Sequence, residues 1–366
     1  MKPQGPLKGV KVVEFVGLGP APFCAMMLAD MGCDVVRIDR PGAGGGGSAD
    51  ILARGRRSVA LNLKDKTDHK TAVELIAKAD ILLEGYRPGV MERLGLGPDI
   101  ALQANPVLVY GRMTGWGQFG PLAHAAGHDI NYIALTGALH AIGPQSSPVP
   151  PLNLVGDFGG GAMYLAFGVL AALTHARTTG EGQVVDAAIV DGATSLMASQ
   201  HQLAAYGLWN TTRGNNLLDG ASHFYGVYEC SDGKHISIGP IEPEFYALLC
   251  EKIGVDADQY PADWSGKNWA ETRQMFEIIF RASTRDEWCE LLEGTDVCFA
   301  PVLDYKESAE HPHMVEREIY QTHDGVRQAA PAPRFSRTPG AIQGPAPKPG
   351  AHTDDVIADW GVGPDR

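Results

Sequence analysis

Two short segments carry residue types suited to moving a proton on and off carbon. Gly127-His128-Asp129-Ile130-Asn131-Tyr132 supplies an imidazole, and Val155-Gly156-Asp157-Phe158-Gly159-Gly160-Gly161 supplies a carboxyl group. Each stands beside small residues at the edge of apolar, helix-forming sequence. Imidazole and carboxyl groups can hold opposite protonation states near neutral pH, so one can take a proton from a carbon while the other delivers one to its opposite face. Singly, both have ordinary readings: a histidine at a helix start is often just a satisfied polar residue, and an aspartate before an apolar helix is a natural N-cap. The glycine triplet favours chemistry at Asp157, because it is expected to open space above a helix N-terminus where N–H groups and the dipole stabilise an enolate. Asn153 offers either a donor toward a thioester oxygen or a turn residue. Glu242, in Gly239-Pro240-Ile241-Glu242-Pro243, either orients His128 as a triad carboxylate does or stands as an exposed loop acid.

A dinucleotide fingerprint is suggested by Gly17-Leu18-Gly19-Pro20-Ala21-Pro22 and the later Asp39, but the third glycine is missing. Two prolines also occupy the turn where backbone N–H groups would face a pyrophosphate. Basic residues gather instead at Arg37, Arg40, Arg54, Arg56, Arg57, Lys64, Arg87 and Arg93. Guanidinium groups near strand ends suit phosphates or an adenine ring, although any one of them is equally an ordinary surface charge.

That local excess stands out because the chain of 366 residues is acidic, with 43 Asp and Glu against 30 Lys and Arg and a formal charge of −13. Nucleic acid and anionic membrane are therefore disfavoured as partners. A hydrophobic content of 44% fits a large core, as one large domain plus a smaller one. The six cysteines form no CxxC pair and no metal-ligand motif, so buried free thiols in a reducing compartment are expected. No uncharged apolar stretch reaches the ~18–20 residues of a membrane span, and no leader-like segment opens the chain, so a cytoplasmic protein is expected.

The elements that must hold these residues read as alternating strand and helix. Val10–Phe15, Asp34–Asp39, Ile81–Glu84 and Val107–Tyr110 are strand-like, with helices over Ala21–Met31 and about Thr71–Ala79, which predicts an α/β fold with a doubly wound parallel sheet over residues 1–185. A buried crossover helix follows the glycine triplet and leads to a strand at Gln183–Asp186. Residues 186–222 read as a linker. His223–Glu229 and Lys234–Ile238, joined through Ser231-Asp232-Gly233, form a hairpin signal that opens a small mixed domain to about residue 310. Residues 311–333 return the chain, and the Pro- and Ala-rich tail is expected to wrap a surface.

With these segments in view, the chain resembles the class III coenzyme A transferase family, and within it the branch that racemises 2-methylacyl-CoA. The likeness spans nearly the whole sequence. It includes Val35-Val36-Arg37-Ile38-Asp39-Arg40-Pro41, Glu84-Gly85-Tyr86-Arg87-Pro88-Gly89-Val90, Glu92-Arg93-Leu94-Gly95-Leu96-Gly97, Arg112-Met113-Thr114-Gly115-Trp116-Gly117-Gln118, the His128 and Asp157 segments, and Pro333-Arg334-Phe335-Ser336. The Gly-His-Asp-Ile-Asn-Tyr run is the most specific. The resemblance implies a Rossmann-like large domain built from residues 1–185 with 334–366, a smaller α+β domain over 223–310, and an interlocked homodimer. It further implies that Arg40, Leu61, Asn62, Leu63, Lys64, Gly85, Tyr86, Arg87, Arg93, Gly127, Asp129, Ile130, Asn131, Tyr132 and Asn153 contact coenzyme A or the acyl thioester. His128 and Asp157 would be the proton-transfer pair, and Glu242 would approach His128 from a small domain. No cofactor beyond the coenzyme A of the substrate is implied.

The expected reaction is interconversion of (2R)- and (2S)-2-methylacyl-CoA through an enolate. Two alternatives stand beside it. A class III coenzyme A transferase would use Asp157 as a nucleophile and form an acyl-enzyme anhydride, and a non-catalytic acyl-CoA binder would need the basic cluster and not His128.

Overall fold

Six strands of the large unit form one parallel sheet: β1 (Lys11–Phe15), β2 (Asp34–Asp39), β3 (Arg56–Ala60), β4 (Ile81–Glu84), β5 (Val109–Thr114) and β6 (Gln183–Ala188). Their spatial order is β3-β2-β1-β4-β5-β6, so the winding reverses between β1 and β4. The computed structural model describes residues 4–363. Strand alternation explains why both faces are covered. Val12, Val35, Ile81, Leu83 and Val109 point to one face, where helix α1 (Pro20–Asp30) and the helix Met163–Thr179 pack. Val13, Phe15, Val36, Ile38, Leu82 and Tyr110 point to the other, under α2 (Lys66–Ala77) and the terminal helix Thr353–Trp360. In such a sheet the crevice for a ligand lies beyond the carboxyl ends of the strands, at the reversal.

Strand β3 does not show in the apolar pattern. Arg-Arg-Ser-Val-Ala has no hydrophobic period, and it becomes a strand through partners distant in sequence: Arg56 pairs with buried Glu14 at 3.0 Å and Arg57 with Asp34 at 2.6 Å. Arg54, just before it, pairs with Asp30 at 2.5 Å, and Arg37 with Asp39 at 2.9 Å. Half of the basic cluster is therefore internal scaffold. The strand expected over Val107–Tyr110 instead runs from Val109 to Thr114, in register with β6.

Two further expectations change. The chain is helical without a break from Leu154 to Thr179, 26 residues apolar enough by length and composition to cross a membrane, contrary to the expectation that no such stretch exists. Its inner face, including Leu165, Val169, Ala172 and Leu173, is buried against the sheet, so it serves as a core helix of the globular unit. All six cysteines are free and four are buried, but Cys289 is half-buried and Cys298 exposed.

Contacts divide the chain into two units. The large one holds residues up to 136, 152–196 and from 316 onward, including the hairpin of strands Tyr320–His323 and Val326–Ala329 and the tail, whose Gly344 carbonyl accepts from the N–H of Gly55. The smaller one, residues 137–151 and 197–315, is α+β: three antiparallel strands, Gly226–Glu229, His235–Ile238 and Phe299–Val302, with the expected hairpin turn at Asp232-Gly233. Helices Pro243–Ile253, Trp269–Phe280 and Arg285–Leu292 close over an aromatic core of Phe224, Tyr228, Tyr246, Phe276, Phe280 and Trp288.

Candidate active site

Two cavities open at the carboxyl ends of the large unit's strands. One, of about 770 Å³, is walled by residues that follow β2, β3 and β4, among them Arg40, Leu61, Asn62, Leu63, Lys64 and Arg87. The other, of about 550 Å³, is walled by the ends of β4 and β5, by Leu18 and by the run from Ala125 to His128 with Asn131 and Tyr132. Tyr86 and Arg87 line both, so the two adjoin and together make up the groove at this edge of the sheet. Arg40, Lys64 and Arg87 are exposed there, and among the described residues none of them forms an ion pair. Nearby Arg112 is spent differently, on Glu84 and Glu92 at 2.8 Å each, while Glu84 also accepts from the N–H of Tyr86 at 2.7 Å and so sets the turn that presents Tyr86 and Arg87.

His128 occupies the position before helix α3 (Asp129–Leu135), with an extended backbone that ends the preceding loop. Its N–H donates to Asn131 Oδ1 at 3.0 Å, which closes the first turn reciprocally as a capping box does. The imidazole is exposed at the cavity wall. Asp129, next in the chain, turns inward, and its Oδ1 accepts from the backbone N–H of Asp157 at 2.6 Å. A methyl group at Gly156 would overlap that carboxylate, so glycine is required there for the close approach.

Asp157 is not an N-cap. The segment Leu154–Ala162 is a π-helix, with the Phe158 N–H donating to the Asn153 carbonyl at 3.2 Å, and Asp157 lies within its first turn. Nor do the glycines open an anion site. A Cβ on Gly160 would stand 2.6 Å from the backbone nitrogen of Ala193, and one on Gly161 3.0 Å from Ile189, so these glycines exist to seat the π-helix against the helix Ile189–Leu196. Such a widened turn commonly marks a functional position. Here it brings the Asp157 carboxylate to the turn after β1, 3.4 Å from where a Cβ on Gly19 would be, at the sheet's reversal point. Burial, then the charge of Asp129, pushes the Asp157 carboxyl above the usual carboxylate range, while His128 and a hydrogen bond from the Asn153 side chain pull the other way. His128 is thus near enough for its charge to act on the Asp157 carboxyl, and the Asn153 side chain is within hydrogen-bonding reach of it.

Of the other residues singled out by sequence, Gly85 and Gly127 line the His128 side of the groove. Arg93 is exposed beside Gly89 and Ile130 is exposed on α3, and neither borders the two cavities. Glu242 belongs to the smaller unit, where it precedes the helix Pro243–Ile253; burial, then the charge of Glu242, raises the Cys298 thiol. Leu18, 94% exposed at the groove's lip, and Trp116 in its wall were not distinguished by composition. The signal for Leu18 was its place after a strand at a helix start, and for Trp116 the Gly-Trp-Gly run.

The model of CoA-transferase family III matches residues 7–353. The chain is 44% identical over 359 residues to alpha-methylacyl-CoA racemase of Mus musculus, covering 97% of this chain and 93% of that protein. It is 42% identical over 361 residues to alpha-methylacyl-CoA racemase of Homo sapiens, with the same coverage of each. Among solved structures, the crystal structure of Rv3272 from M. tuberculosis superposes with a TM-score of 0.80 at 27% identity, covering 96% of this chain and 98% of that one.

Proposed function

The chain belongs to CoA-transferase family III, and from that premise we propose that it is a racemase that interconverts (2R)- and (2S)-2-methylacyl-CoA through an enolate. Homology to the alpha-methylacyl-CoA racemases over nearly its whole length supports the isomerase activity. The observation that carries the chemistry is a carboxyl group held above its ordinary range beside the turn after β1, near enough to His128 for the imidazole's charge to act on it. Such a carboxyl is partly protonated closer to neutrality, so it can donate as well as accept.

In this reading the coenzyme A phosphates meet Arg40, Lys64 and Arg87, with Arg93 outside the cavities, and the pantetheine passes Tyr86 with the thioester entering the His128 side of the groove. His128 removes the C2 proton of one epimer and Asp157 delivers a proton to the opposite face; the reverse direction exchanges their roles. The thioester carbonyl takes up the negative charge, so the reaction asks for no redox cofactor. The two groups titrate as a pair, and a bell-shaped rate profile would belong to the pair. We place the active form as an interlocked cytoplasmic homodimer in which Glu242 of the partner subunit orients His128. The exposed apolar side chains Leu18, Phe119 and Phe167 support a surface that a second copy covers.

The test is deuterium wash-in. Each single-epimer thioester is incubated with enzyme in deuterated water and no acceptor acid. Racemisation gives deuterium at C2 with inversion, and His128→Ala or Asp157→Ala slows inversion by about 10²- to 10⁴-fold, the usual worth of a general acid or base. Transfer to an added carboxylic acid without exchange, with a hydroxylamine-sensitive acyl group on Asp157, would replace this mechanism by the transferase one. Neither exchange nor transfer would leave a binder.

A further inference from the structure

One peptide group in the groove is gripped at both polar ends by a single helical turn. The Gly127 carbonyl accepts a hydrogen bond from the Tyr132 hydroxyl, and the N–H of His128, on the same peptide, donates to Asn131 Oδ1 at 3.0 Å. To reach back, the Tyr132 ring passes through a slot between two glycines. A Cβ on Gly115 would overlap the ring, and one on Gly127 would come within 2.7 Å of it. Trp116 closes the slot edge-on, with ring centroids 4.8 Å apart at 85°. Gly115 directly follows β5 and Gly127 directly precedes His128, so the ring links the sheet to the histidine.

The geometry points to Tyr132 and Asn131 as positioning residues that fix the Gly127–His128 peptide plane and thereby aim the imidazole. The inference rests on the proton-transfer reading above. Packing does not hold the exposed His128 side chain, and Gly127 gives the backbone before it unusual freedom. A clamp on the intervening peptide removes that freedom at its source. The Tyr132 hydroxyl is suited to donating, because burial, then the charge of Asp157, pushes it up so that it keeps its proton. The same turn provides Asp129, which holds the N–H of Asp157. One turn of α3 therefore sets both ends of the gap in which the reacting carbon would sit.

Tyr132→Phe keeps the ring in its slot and removes only the donor. Exchange of C2 hydrogen is measured separately for the two epimers, the His128-dependent one being identified by the exchange lost in His128→Ala. A loosened imidazole lowers inversion and His128-side exchange by about tenfold, within the cost of small misplacements at a reacting centre. Asp157-side exchange and KM stay within about twofold of wild type, since a group acting only on aim leaves uniform binding intact. Equal loss on both sides, or no loss, overturns the assignment. A second measurement does not depend on activity: thermal melting of Gly115→Ala in the wild-type and Tyr132→Ala backgrounds. The alanine lowers the melting point by several degrees only where the ring fills the slot. Equal penalties in both backgrounds refute the slot whatever the reaction, whereas a wild-type enzyme that exchanges neither epimer sinks the racemase reading and leaves the melting cycle to decide the clamp.

Discussion

Adding one methyl group at Gly160 tests whether the π-helix is the part that places Asp157. A Cβ there meets the Ala193 nitrogen at 2.6 Å and the Ala193 Cα and Cβ at 3.0 Å, all on the helix Ile189–Leu196, where ordinary contact begins at 3.4 Å. Two of these are backbone atoms that cannot rotate aside, so the helices must separate by about 0.8 Å to restore the 3.4 Å contact. Overpacking of this kind costs about 1–3 kcal/mol, which lowers Tm by about 1–2 °C for each kcal/mol in a chain of 366 residues. The catalytic cost is larger. Asp157 lies three residues before Gly160 on the same π-helix, and a displacement of ~1 Å at a reacting group can cost about 10²-fold in rate. Gly160→Ala is therefore expected to remain folded, to melt a few degrees lower, and to lose about a hundredfold in kcat for deuterium exchange with KM little changed. Gly44→Ala, where a Cβ meets nothing within 4 Å, is the matched control. A Gly160→Ala enzyme with wild-type kcat and a lowered Tm would refute the idea that this packing positions the carboxylate.

Two further predictions separate scaffold from site. Arg87→Ala should raise KM for the CoA thioester about 10- to 100-fold with kcat nearly unchanged, the loss of one charge-assisted phosphate contact. Arg56→Met, which strands the buried Glu14, should leave KM alone but cost about 3–5 kcal/mol of stability by denaturant titration. Asp157→Asn should slow inversion about 10²- to 10⁴-fold yet stabilise the protein above the ordinary carboxylate range. Because the folded-state carboxyl is raised above its unfolded value, its favourable contribution is complete below the unfolded pKa and is lost as pH rises through the folded one. Melting curves of wild type and Asp157→Asn should thus coincide at low pH and separate toward neutrality. Separation in the opposite sense would mean that the carboxylate is held in its charged form.

Much of the fold was legible because apolar β runs alternate with helical ones. β1, β2 and β4 could be read from Val, Ile and Leu in short blocks, and the hairpin of the smaller unit from Asp232-Gly233. β3 was not, since it opens on Arg-Arg-Ser and its two arginines are satisfied by Glu14 and Asp34, carboxylates on other elements. The same blindness affects the basic cluster. Eight cations look alike in sequence, but Arg37, Arg54, Arg56 and Arg57 are already paired, whereas Arg40, Lys64 and Arg87 face the groove. The glycine triplet misled in a similar way. Glycine marks close approach of backbone, and only coordinates distinguish approach to a ligand from approach to a helix.

The sequence by itself determined the inventory: an imidazole, a carboxyl group, a run of cations and a β/α alternation that must wind into a parallel sheet, all local properties of side chains and their spacing. Tertiary structure alone decided which of those groups share a field. A pKa moves, and a guanidinium is free or spent, according to neighbours within a few ångströms that lie far away along the chain, and for Asp157 those neighbours are Asp129, His128 and the turn at Gly19.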